Sequence, residues 1–159
     1  MSETEVAPVK DRSLVKGLIS GLIGGLAGTV AKTFAERMFP PRTHGEPEPA
    51  EVLAEHITGH ALAPAERTRA AEGIHWGFGA AAGAAYGALV EYYPVASAKE
   101  GASFGMALEA ITHEGALPAL GLSAEPEDQT ARERVSEMTS YVVYGIATEM
   151  VRGFVRKLL

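Results

Sequence analysis

Long apolar runs alternate with short charged or proline-rich connections along this chain, and inside each run the apolar and small residues return every three or four positions. That period predicts helices. The first extends over 13–39: Ser13 is a residue type favoured at a helix start, and Pro40-Pro41 closes the run. After a Pro- and Glu-rich stretch from His44 to Pro49, residues 50–61 read as a short amphipathic helix with Leu53, Ile57 and Ala61 on one face. Pro64 separates it from a helix over 65–93, which ends at Pro94. A helix over 98–117 is expected to break at Pro118. The acidic loop Glu125-Pro126-Glu127-Asp128 then precedes a last helix over 130–159. Few runs are dense in Val, Ile or Thr, so the fold class read from the pattern is all-α, one domain over 13–159 behind a polar tail at 1–12.

Glycine sharpens this picture. Gly17, Gly21 and Gly25 repeat at four-residue spacing in the first helix, with Gly24 and Gly28 as a second line. Gly79, Gly83 and Gly87 repeat the spacing in the second long helix, after Gly73 and Gly77. Residues four apart share a helix face. Each glycine costs about 1 kcal/mol of helix propensity relative to alanine in water. A chain that accepts this cost repeatedly needs close backbone contact, of the kind that small-xxx-small faces give membrane helices. Gly21, Gly25, Gly28, Gly79, Gly83 and Gly87 are therefore the expected packing residues, within one chain or between copies in a homo-oligomer.

Length and composition limit what such a bundle does. The 159 residues suit one domain of four or five helices. The hydrophobic fraction is 47% while the mean hydropathy is only +0.04, which separates apolar segments from charged connectors. A net charge of −6 gives no basis for nucleic-acid binding. Cysteine is absent, which excludes disulfides and thiolate chemistry. Met1–Asp11 is acidic and no small-residue cleavage motif ends the apolar run, so no signal peptide is expected.

A membrane span needs roughly 20 mostly apolar residues. Residues 17–31 carry no charge, and Lys16 and Lys32 extend the segment by snorkelling. Residues 73–90 are uncharged apart from His75. The third helix holds Glu109, His113 and Glu114, and the last is free of charge only over 138–148. Two good spans and two weaker ones predict a four-helix transmembrane bundle, with the short amphipathic helix lying between the first two spans and the lipid bilayer as its partner.

Motifs in each helix resemble the YagU-like bacterial inner-membrane proteins. Gly24-Gly25, Gly28, Lys32, Glu36 and Pro40-Pro41-Arg42 are similar to that family's first helix. His75, Gly83, Tyr86-Gly87, Glu91 and Pro94 are similar to its second, and His113, Pro118 and Gly121-Leu122 to its third. Glu137, Gly145, Glu149 and Arg152 are similar to its last helix, in which Tyr141 replaces an expected histidine. The resemblance implies a small multi-pass protein of the inner (cytoplasmic) membrane, and implies no reaction.

Ionisable groups inside membrane segments cost about 2.5–3.5 kcal/mol each on insertion scales, so they face the bundle interior. Lys32 with Glu36, and Glu149 with Arg152, are spaced to pair along one helix. Arg42, beyond the double proline, reads as a headgroup anchor. Glu109 and His113 lie four apart on one face of the third helix, and His75 sits near the start of the second, taken to be its antiparallel neighbour. Convergence of these three, with Glu36 or Glu149 as a fourth, predicts a proton- or ion-linked cluster; the competing reading is a polar network that only fixes helix register. Glu72-x-x-His75 and His56-x-x-x-His60 lack the further ligands of known metal motifs, so no metal and no cofactor are expected. No P-loop, dinucleotide fingerprint or nucleophile elbow is present, so the chain reads as non-enzymatic. Trp76 and Tyr92-Tyr93 read as interfacial anchors. The expectation is a membrane protein responsive to protons or ions through Glu36, His75, Glu109, His113 and Glu149. The alternatives are a glycine-zipper protein that only oligomerises and a soluble helical bundle within a larger assembly.

Overall fold

The computed structural model describes residues 12–42, 47–124 and 127–159. Of the expected polar tail only Arg12 falls among them, and His44–Glu46 and Glu125-Pro126 of the two connections lie outside the described residues. The described chain is all helical and contains no strand. In order it forms α1 (Leu14–Met38), α2 (Pro49–Thr58), α3 (Pro64–Tyr92), a 3-10 segment (Pro94–Gly101), α4 (Ala102–Ile111), a π turn (Thr112–Ala116), α5 (Leu117–Ala119) and α6 (Ala131–Leu158).

Local chemistry sets the ends. The Ser13 hydroxyl accepts from the Lys16 amide, and Thr130 likewise accepts from Glu133, so both helices start on a side-chain cap. α2 stops at Thr58 rather than at 61 because Gly59 takes a left-handed conformation at φ 72°. The helix expected over 98–117 is displaced. Lys99, Glu100 and Gly101 all have positive φ, so regular α-helix begins only at Ala102. The helix ends at Ala119, one residue past Pro118. The π turn before Pro118 lets the Leu117 amide bond the Thr112 carbonyl, five residues back, which accommodates the proline at the helix end.

α1 is the central element, packed against α3 on one side and α6 on the other, while α4 packs on α6. The two glycine lines of α1 divide between these partners. A Cβ on Gly17 would stand 2.9 Å from the Gly87 carbonyl oxygen, and one on Gly25 2.9 Å from the Gly83 Cα. A Cβ on Gly24 would stand 2.6 Å from the Thr148 carbonyl, and one on Gly28 2.8 Å from that of Tyr144. Backbones in contact along both seams leave no space for side chains. Tyr144 also crosses the bundle to donate its hydroxyl proton to the Gly79 carbonyl at 2.6 Å. Tyr144→Phe should therefore lower stability by about 1 kcal/mol, read as an earlier midpoint in a thermal melt of the purified protein.

The distribution of side chains is the reverse of a water-soluble core. Ser20, Thr29, Ser136, Ser140 and Thr148 are buried, whereas Leu18, Ile19, Leu22, Ile23, Val30 and Phe34 of α1 are exposed. Among the described residues α1 is the one helix long and apolar enough to cross a membrane. α3 and α6 are long enough, but both carry charge at their ends, and α4 has only ten residues before its π turn.

Candidate functional site

Ionisable side chains gather in two groups along the α1 seam, one reaching from the Ser13 end to the level of Gly24 and the other beyond Thr29. At one end Glu91 accepts hydrogen bonds from the Ser13 amide at 2.9 Å and from Arg156 at 2.6 and 2.8 Å. Beside it Glu149 receives two bonds of 2.6 Å from Arg152 and one of 2.9 Å from the Tyr86 hydroxyl. Every charge in this set is matched, as expected of a structural clamp.

The other end is different in kind. Glu137, in the second turn of α6, is only 2% exposed and faces basic side chains from three other parts of the chain. Arg42 Nη2 donates to its Oε1 at 3.0 Å, His113 Nε2 lies 3.3 Å from the same oxygen, and Lys32 Nζ stands 3.8 Å from Oε2. Lys32 also pairs with Glu36 and sits over the Tyr141 ring, 4.5 Å from its centroid. His113 meets the same ring edge-on at 5.2 Å. The double proline turns the chain back so that Arg42 reaches inward, helped by a bond from Ser136 to the Phe39 carbonyl. These groups line one side of a cavity of about 870 Å³. Its other walls come from α2, the first half of α3 and the region around Thr112.

The expected site residues therefore separate. Glu36 and His113 belong to the Glu137 cluster. His75 of α3 lines the same cavity without an ion pair to Glu137, and its Nε2 lies 3.2 Å from the hydroxyl of Thr33, the neighbour of Lys32. Glu109 is buried four residues before His113 and lies off the cavity lining. Glu149 does not join them at all, because antiparallel packing puts it at the far end with Tyr86. The second and third long helices are not a packed pair either. α4 rests on α6, and Tyr86 stacked on Phe104 at 4.0 Å bridges it to α3.

Glu137 is the central residue that sequence reasoning left out of its site, and Arg42 is a cavity ligand to Glu137 rather than a headgroup anchor. The sequence hid it: Arg134, three residues before Glu137, offers a partner on the same helix, but in the structure Arg134 turns to Glu114 instead. Buried polar atoms without a hydrogen-bond partner among the described residues cluster here as well. They include Glu137 Oε2, His113 Nδ1 and Glu109 Oε2. Buried polar groups are seldom left in that state unless a proton, water or ligand engages them. Among the described residues no three metal-ligating side chains converge.

A family model described as "Protein of unknown function (DUF1440)" matches residues 26–150. That range contains Lys32, Glu36, Arg42, His75, His113 and Glu137, and so the whole cluster. No curated protein and no solved structure matches the chain.

Proposed function

We propose a function from the site upward, because the chain belongs to the DUF1440 family, whose description is a protein of unknown function. The reading is a small multi-pass protein of the inner membrane, akin to the YagU-like proteins it resembles. It catalyses no reaction, and its buried Glu137 cluster binds and passes protons between the cavity and the bundle interior.

The membrane half of this reading rests on the reversed side-chain distribution. Large aliphatic residues of α1 face outward while serines, threonines and glycines fill the seams. In water the outward face would lose about 25 cal/mol for each Å² of apolar surface left exposed; in lipid it loses nothing. α3 and α6 present their uncharged stretches beside that of α1. The charges at the same depth on α6, Glu149 and Arg152, point inward and neutralise each other. Residues from Ala102 to Ala119 keep a helical path of about 27 Å through the π turn, close to the thickness of a hydrocarbon core. These lengths support a reading with four spans, of which α1 alone is long and apolar enough by itself among the described residues.

The proton half rests on one observation: His113 touches Glu137 at the cavity wall while its Nδ1, and Oε2 of the nearby Glu109, have no hydrogen-bond partner among the described residues. A histidine beside a buried carboxylate has two ring nitrogens, so it can accept a proton at one while the other donates. Liposomes containing the protein and an internal pH dye should dissipate an imposed pH step faster than empty liposomes. His113→Asn and Glu109→Gln should each slow this at least tenfold. Equal rates for protein-containing and empty liposomes would end the proton reading.

Self-association is the second reading, and it needs a face other than the expected one. Gly83 and Gly87 are closed by α1, whereas a Cβ on Gly73 or Gly77 would meet nothing within 4 Å. An oligomer of this chain would join through that outer face of α3.

A further inference from the structure

The cavity beside Glu137 has a composition that selects a ligand, independent of whether protons move through it. Its volume of about 870 Å³ falls within the range of small-molecule pockets, roughly 300–1,000 Å³. Trp76, Phe78, Tyr141 and Tyr144 contribute aromatic surface to its lining. One cation already uses that surface, since the Lys32 ammonium rests over Tyr141. The charges of the lining are unequal. Lys32 and Arg42 are matched by Glu36 and Glu137, and Glu51 is matched by Arg67 at 3.7 Å. That leaves Glu48 and Glu72 with no ion pair among the described residues, against Arg37 alone. Deeper in, the nearly inaccessible Glu137 keeps Oε2 without a hydrogen-bond donor. Surplus carboxylate, aromatic faces and an apolar wall from Ile74, Leu108 and Leu117 together favour a positively charged guest with apolar bulk. Among the described residues a bare metal ion would find no set of three ligands, and an anion would meet the carboxylates first.

We propose that this cavity binds a hydrophobic organic cation, with Glu48 and Glu72 drawing it in at the mouth and Trp76, Tyr141 and Tyr144 holding its apolar body. The proposal rests on the same cavity as the proton reading, and names what enters it.

Trp76 is the sole tryptophan and lines the cavity, so its fluorescence reports occupancy directly. The full chain in micelles of an uncharged detergent would be titrated with tetraphenylphosphonium, and separately with tetraphenylborate, which has nearly the same size and shape with the opposite charge. A saturable change with the cation and none with the anion is expected. A Glu48→Gln/Glu72→Gln double variant should weaken cation affinity about fivefold; both positions are exposed, so the fold is untouched. Identical curves for the two ions would mean simple apolar partition and overturn the proposal, as would tighter binding of the anion. Full affinity in the double variant would overturn the carboxylate role. Cation binding without proton flux would remove the proton reading alone, and flux that depends on His113 without cation binding would remove only this one.

Discussion

Gly83→Leu should leave no folded monomer, while Gly73→Leu, ten residues earlier on the same helix, should melt like the unaltered protein. The contrast comes from what surrounds each position. A Cβ on Gly83 would lie 2.5 Å from the Gly21 carbonyl oxygen and 2.7 Å from the Gly25 amide nitrogen. Both are backbone atoms of α1, which moves only as a whole. Overpacking of a core side chain costs about 1–3 kcal/mol, and a leucine against backbone exceeds that range. The α1–α3 seam would have to open, exposing the Gly17, Gly21 and Gly25 carbonyls that it shields. Gly73 faces open space. Circular dichroism melts of both variants in the same detergent check this. A Gly83→Leu protein that melts at the unaltered temperature would mean that α1 and α3 do not pack as described. The same pair of variants also tests self-association through α3, because of its two glycine faces the one at Gly73 and Gly77 is open and the one at Gly83 is closed by α1.

Glu137→Leu is expected to be as damaging for an electrostatic reason. The carboxylate neutralises Arg42 and shares Lys32 with Glu36, in a setting that excludes nearly all solvent. Removing one partner of a buried ion pair strands the other, at a cost of about 3–5 kcal/mol. Arg42 would turn outward and release the connection that follows α1. Adding Arg42→Met to Glu137→Leu should recover a large part of the loss, since two apolar groups then replace a pair of charges. Thermal midpoints of the two single variants and the double variant give the coupling. Additive losses would mean that the two residues do not interact. The corresponding change at the far end, Glu149→Leu, strands Arg152 in the same way but leaves the cavity intact, so it should lower stability without altering tetraphenylphosphonium binding.

Helix identity was readable from the chain because periodicity and helix stops act locally. Pro40-Pro41 and the Thr130 cap fix the first and last boundaries through bonds made within a few residues. Near Pro118 the helix does end, but the π turn just before it was not legible, because nothing nearby in sequence marks one. Gly101 shows the same limit. Its φ of 85° and its close approach to the Gly145 carbonyl are set by α6, more than forty residues away. Pairs three or four apart, such as Lys32 with Glu36 and Glu149 with Arg152, were legible because one helix carries both partners. Glu137 was not, because its partners arrive from the turn after α1 and from the π turn.

The amino-acid sequence by itself determined that the chain is helical, that its seams are built of glycine, and that its charges avoid the middle of the apolar runs. Each of these is a property of one helix or one face, and a helix repeats every few residues. The tertiary structure alone decided which glycine line meets which helix, and that the acids divide into a matched clamp at one end and an underfilled cavity at the other. Those outcomes depend on antiparallel register between segments far apart in the chain, and register is settled only when backbone meets backbone.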